Sequence, residues 1–233
     1  MHKHFNAISI FIPHLGCPHT CTFCNQRAIS LKTKAPTKKE IEVQIEKAVT
    51  TAKDTSNFEI AYFGGSFTCL NRDIMLYYLE IAYSLIKKFN LHGIRISTRP
   101  DGIDNEILTI LKQFKVTTIE LGAQSLNDKV LELSERGHTS KDTAYASGLI
   151  KDFGFDLVLQ MMVGMPGDTK QGVIETAEKI ISLRPNAVRI YPLLVIKDTT
   201  LERLYRSGDF TPLTLDEAID ISAELMKIFK NAV

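Results

Sequence analysis

Cys17, Cys21 and Cys24 stand within the eight residues "CPHTCTFC", and the only other cysteine is Cys69. Thiols at spacings of four and three are metal ligands before they are disulfide partners. Three cannot pair without leaving one over, and four cysteines in 233 residues make no disulfide framework. Structural zinc closes four ligands and would draw its fourth from His14, His19 or Cys69. An ordinary iron–sulfur cluster also takes four protein ligands, one per iron. Three thiolates on a four-iron cluster would leave one iron open to a substrate or cofactor. Ligand counting leaves zinc and the open cluster both standing. The spacing, with Pro18 and Thr20 inside it, lets a loop curl round a cuboidal cluster with every sulfur facing inward.

Such a loop needs a scaffold, and the rhythm of the chain supplies one. Strand-like runs that are apolar and β-branched alternate with amphipathic segments from end to end. The strands are expected at Phe5–Ile12, Phe58–Phe63, Gly93–Thr98, Val116–Leu121, Phe155–Val163 and Ala187–Val195. Helices are expected from Thr37 with Ile41, Ile45, Ala48 and Ala52 on one face, and over Asn71–Asn90 with Ile74, Tyr78, Ile81 and Leu85 in register. Further helices fall at Asp104–Phe114, Asp128–Ser134, Lys141–Phe153, Thr169–Leu183 and from Leu215 towards the end, the last with Ile221, Leu225 and Ile228 inward. Thr37 and Glu40 read as a capping box. Six βα units with apolar strands predict an α/β fold with a parallel sheet, a partial (β/α)6 TIM-like barrel. Six are too few for the closed eight-stranded barrel, and a doubly wound sheet also fits the count.

Either architecture gathers ligands where strands end. The cysteine loop, "GGSFT", "STRPD", "GAQS" and "GMPGDT" each follow a strand. The chain is read as one core domain over residues 1–233, or a piece of a longer protein. With 44% apolar and 24% charged residues it has the profile of a soluble globular protein. A net charge of +1 supplies no global field towards nucleic acid or membrane. No apolar run is long enough to span a bilayer, and the N-terminal apolar run is read as a buried strand, not a signal peptide. The cysteine usage points to a reducing cytoplasm. Ser30–Lys39, the most basic stretch, is read as a solvated connection.

Cys-x-x-x-Cys-x-x-Cys with Phe23 before its third cysteine, placed after the first strand of a βα array, resembles the radical S-adenosylmethionine (radical SAM) superfamily, and the later loops match along the whole chain. The resemblance implies a [4Fe–4S] cluster held by Cys17, Cys21 and Cys24, with the amino and carboxylate groups of SAM on the fourth iron. It implies that Gly64, Gly65 and Ser66 meet the SAM amino group, that Ser97 faces the ribose, that Gln124 contacts SAM and that Arg136 pairs with its carboxylate. Gln160 falls at a position that is often acidic and bonds the ribose, and the sixth strand would lend backbone to the adenine edge. Arg99 reads as a partner for a substrate anion or as a surface cation. Cys69 is expected to be a buried thiol outside the ligand set, and His138 reads as a proton donor or, in preference, a hydrogen-bonded loop histidine.

The activity implied is reductive cleavage of SAM to a 5′-deoxyadenosyl radical that abstracts hydrogen from a substrate carbon, with a ferredoxin or flavodoxin as electron donor. "IELGAQSLNDKVLELSERGHT" and "LQMMVGMPGDT" look most like the branch of oxygen-independent coproporphyrinogen oxidases and the Elongator catalytic subunit. The former carry a further cysteine two places after the third, where this chain has Gln26. The latter has wider cysteine spacing and an acetyltransferase domain, and neither is seen here. An Elongator-like radical SAM enzyme with tRNA as candidate substrate is therefore expected; a porphyrin enzyme and a non-catalytic metal module are the rivals.

Overall fold

The computed structural model describes residues 6–13, 17–25 and 34–232. His14, most of the basic stretch before Thr37 and the first residue of the expected N-terminal strand lie outside the described residues. Six strands form one parallel sheet in the order of the sequence: β1 Asn6–Ile12, β2 Phe58–Gly64, β3 Gly93–Thr98, β4 Val116–Gln124, β5 Asp156–Val163 and β6 Ala187–Pro192. A doubly wound sheet reverses its strand order in the middle, and this one does not. The barrel-like reading stands.

The curl of the sheet is visible in one contact. Strands four places apart in a flat sheet would be separated by roughly 19 Å. Yet the Arg189 guanidinium on β6 lies 5.7 Å from the centre of the Phe63 ring on β2. β1 and β6 are not hydrogen-bonded to each other, so the curl stops at a half-barrel with an open side.

Alternation along the strands sorts the two faces. Ile8, Ile10 and Ile12 of β1, Ile60 and Tyr62 of β2, Ile94 and Ile96 of β3 and Leu157, Leu159 and Met161 of β5 are buried in one cluster with the helices. The opposite set, including Glu59, Arg95, Ser97, Glu120, Gln160 and Arg189, is polar and forms the inner face.

Helices α1 Lys38–Thr50, α2 Arg72–Phe89, α3 Asn105–Gln113, α4 Asp128–Leu133, α5 Ser140–Asp152, α6 Lys170–Ser182, α7 Thr200–Ser207 and α8 Leu215–Lys230 connect or follow the strands. Thr37 caps α1 with the expected reciprocal bonds to Glu40. In α2 the expected Tyr78, Ile81 and Leu85 are buried, together with Met75, Leu79, Ala82 and Ile86, while Ile74 is exposed. α7 was not anticipated. Its mean hydropathy is low, and the sequence gives it only the Thr199–Glu202 start signal.

Candidate active site

The C-terminal ends of the strands enclose a cavity of about 170 Å³. Its walls hold every site residue expected from the sequence. Cys17, Cys21, Phe23 and Cys24 come from the loop after β1, and Gly64, Gly65 and Ser66 from the end of β2. Ser97 closes β3, Gln124 closes β4, Gln160 comes from within β5 and Arg136 from the loop between α4 and α5. No β6 residue lines it among the described residues.

The cysteine loop is pinned from two distant segments. Thr22 N–H donates to Ser134 O (3.2 Å), and Leu201 N–H donates to Thr22 O (2.8 Å). Asn25 Nδ2 donates to Lys197 O (3.0 Å). The loop also packs on Gly137, whose φ is +72°; a Cβ there would meet the His19 ring at 2.5 Å. Glycine serves both needs at once: the left-handed backbone and the close approach. All four cysteines are present as thiols. Cys17 Sγ lies 3.7 Å from Ser66 Oγ, and Cys21 Sγ accepts from Arg136 Nη1 at 3.1 Å.

Among the described residues no three His, Cys, Asp or Glu side chains converge as on a single metal ion. Cys69 is half-buried rather than buried, in the short turn Phe67–Cys69, and does not line the cavity. Burial, followed by the Asp101 charge, raises its thiol pKa, which keeps it protonated and a poorer ligand.

Arg136 is buried, and its Nη2 donates to Gly122 O at 2.6 Å. Its Nε is buried without a partner, as is Gln124 Oε1. Gln124 ends β4 with φ at 65°, the left-handed region that a non-glycine residue occupies at a cost. The β4–β5 register shifts between Leu121 and Gln124, so a bulge turns the glutamine towards the cavity. β4 runs three residues beyond the expected strand end for this reason. Gly122 makes room for both side chains: a Cβ there would lie 3.0 Å from Gln124 Nε2 and 3.4 Å from Arg136 Nη2. The sequence reading passed over it. Its place two residues before Gln124 in "GAQS" was the available signal.

Arg99 is not a surface cation; it lines the cavity. It is 4% exposed, grips Asp101 through two bonds of 2.9 Å and donates to the backbone oxygen of Arg136. It fixes the loop that carries Arg136. His138 is buried and its Nε2 lies 3.3 Å from Ala123 O. Burial first, then the charges of Arg136 and Arg99, lower its pKa to about 4. The ring is neutral near pH 7, so Nε2 carries the proton to the carbonyl and Nδ1 is left without a partner.

Comparison with known proteins gives these features a setting. The sequence model of the Radical SAM superfamily matches residues 11–180, and that of the Radical_SAM C-terminal domain matches residues 185–233. An uncharacterized protein of Methanocaldococcus jannaschii is 31% identical over 226 residues, covering 91% of this chain and 69% of that protein. The tRNA uridine(34) acetyltransferase of the same organism is 28% identical over 202 residues, covering 78% of this chain but only 37% of that enzyme. The solved structure of Methanocaldococcus infernus Elp3 lacking its N-terminus superposes with a TM-score of 0.77 at 22% identity, covering 97% of this chain and 54% of that one. No helix among the described residues is long and apolar enough to cross a membrane.

Proposed function

The chain belongs to the radical SAM superfamily, whose members use a [4Fe–4S] cluster and SAM, and from that premise we propose that Cys17, Cys21 and Cys24 hold the cluster and that the cavity beside them receives SAM. The observation that carries the reading is the convergence of eleven residues, drawn from the loop after β1 through to β5, on one cavity. The donor set fits the group. Three thiols lie on one loop, and the partnerless Arg136 Nε and Gln124 Oε1 offer a donor and an acceptor, as a ligand with both a carboxylate and an amino group requires. When bound, the cluster and SAM supply a one-electron cleavage at sulfur that generates a carbon radical able to abstract hydrogen.

The chain's own residues bind, orient and exclude. Arg136 offers a planar guanidinium to a carboxylate, the geometry such a pair favours. Gly64 and Gly65 admit close backbone approach. Ser97 and Gln160 face the ribose hydroxyls. Thr98 Oγ1 and Thr68 Oγ1, 2.6 Å apart, tie the turn after β2 to the end of β3.

We assign tRNA as the substrate class, supported by the kinship with a tRNA uridine(34) acetyltransferase, and a ferredoxin or flavodoxin as electron donor in the cytoplasm. The chain spans little more than a third of that relative's length, so the acetyl-transfer half of such an enzyme is not part of the assignment.

The test is anaerobic reconstitution with iron and sulfide, then SAM and a strong reductant. Formation of 5′-deoxyadenosine is expected, and its absence from fully loaded protein would remove the enzyme reading. With added tRNA that lacks its modifications and carries carbon-bound deuterium, deuterium is expected to pass from the RNA into 5′-deoxyadenosine.

A further inference from the structure

Glu120 lies at the centre of the inner face, fully buried on β4. Its Oε1 accepts from Arg95 Nη1 at 2.8 Å and forms an ion pair with Arg189 Nη2 at 3.1 Å. Its Oε2 accepts from Gln160 Nε2 at 2.8 Å and, more distantly, from Ser97 Oγ at 3.4 Å. Four strands thus converge on one carboxylate: β3, β4, β5 and β6.

A carboxylate only accepts, so each partner must turn a donor towards it. The consequence falls on the two partners that also line the cavity, Ser97 and Gln160. With its NH2 committed to Glu120, Gln160 must direct its carbonyl oxygen elsewhere. The opposite flip would set oxygen against oxygen. Ser97, spending its O–H on the same carboxylate, has only lone pairs left for the cavity. We propose that Glu120 is a positioning residue that fixes Ser97 and Gln160 as acceptors on the cavity wall, so that this wall recognises a ligand bearing hydroxyl donors. A glutamine thereby serves where a carboxylate would otherwise be needed.

This inference rests on the reading that the cavity takes SAM, whose ribose carries the two hydroxyls. Arg95 and Glu59 hold Glu120 from behind. Burial works against the Arg95 charge, but Glu120 and Glu59 outweigh it and raise its pKa, so the carboxylate keeps a cationic partner.

The test compares binding of S-adenosylhomocysteine with that of its 2′,3′-dideoxyribose analogue, by equilibrium dialysis against the cluster-loaded protein. Wild type is expected to favour the hydroxylated ligand by about tenfold or more, the worth of one to two hydrogen bonds. Glu120→Gln is expected to remove most of that preference while changing analogue binding by less than about twofold. Gln160→Glu alone sets two carboxylates together and is expected to remove the preference too. The exchanged pair, E120Q with Q160E, restores donor against acceptor and is expected to recover it. Should Glu120→Gln fold poorly, Ser97→Ala and Gln160→Leu remove the presenting groups alone, and each is expected to reduce the preference.

Equal weakening of both ligands by Glu120→Gln, or an exchanged pair that folds without recovering the preference, overturns the positioning role. A wild type that binds both ligands equally overturns it while leaving the SAM reading intact. A wild type that binds neither overturns both.

Discussion

The four cysteines of this chain divide into two expected fates. Cys17, Cys21 and Cys24 lie on one cavity wall, whereas Cys69 sits in an adjoining turn with its thiol pKa raised. Replacing any of the three by alanine is expected to abolish cluster retention, measured as iron and sulfide per chain after anaerobic reconstitution. Cys69→Ala is expected to retain the full complement, and a loss there would show the ligand set to be misassigned. His138 carries the second prediction at this scale. Its folded pKa, about 4, lies below the ordinary 6.5, so the unfolded chain binds more protons between those values. Stability contributed by the neutral ring is present above pH 6.5 and is lost as pH falls towards 4, by on the order of 3 kcal/mol. Asp168, whose pKa burial raises to about 6, has the opposite slope but is common to both proteins. The unfolding free energy of wild type minus His138→Asn should therefore shrink on acidification; a difference independent of pH would refute the assignment.

At the scale of the element, β4 decides how the site is aimed. Gly122 sits where the register with β5 slips and where Arg136 and Gln124 cross. Gly122→Ala would press on the flexible ends of those two side chains, not on backbone, so the fold should tolerate it. SAM affinity is expected to fall about tenfold, one hydrogen bond's worth, with the thermal midpoint nearly unchanged. A large loss of midpoint would mean that the glycine is structural. By contrast, Thr139 caps α5 with reciprocal bonds to Asp142. Thr139→Ala should cost about 1 kcal/mol of stability and leave binding untouched, because Arg99 and Asp101 hold the Arg136 loop independently. These two elements also mark how far the sequence could be read. The β-branched runs and capping signals locate the starts of all six strands to within one residue, because apolar alternation and caps are local. The end of β4 is not local. "GAQ" carries no β-branched residue, and its extended pairing comes from β5 across a bulge. α7 was missed for the same reason: its polar helix is held by Leu201, buried against the rest of the fold, and not by a long apolar stripe. The site was legible because strand ends and glycine, cysteine and glutamine spacing are sequence properties. Glu120 was not, since an acidic residue inside an apolar strand shows its partners only when four strands are brought together.

At the scale of the molecule, the two matched segments, 11–180 and 185–233, are not two separable bodies. β6 belongs to the second and pairs in parallel with β5 of the first, from Val158 opposite Ala187 to Val163 opposite Pro192. Beyond β6, Lys197 O and Leu201 N–H hold Asn25 and Thr22 of the cysteine loop. The C-terminal segment thus supports both the sheet and the cluster loop, and α8 buries Ile221, Leu225 and Phe229 in the core shared with β5 and α6. A chain ended after Arg184 would leave β5 as an edge, with the apolar run "LVLQMMV" unpaired on the side that β6 now covers, which invites strand addition by other copies. It should aggregate or fail to retain iron even with all three cysteines present, as judged by size-exclusion chromatography and iron content. Leu225→Ala, a milder cut at the same seam, should cost about 2–5 kcal/mol and lower a single unfolding transition. If the unfolding trace instead split into two transitions, or if residues 1–184 alone bound a full cluster as a monomer, the segments would be independent and the cysteine loop would owe nothing to the residues that follow β6.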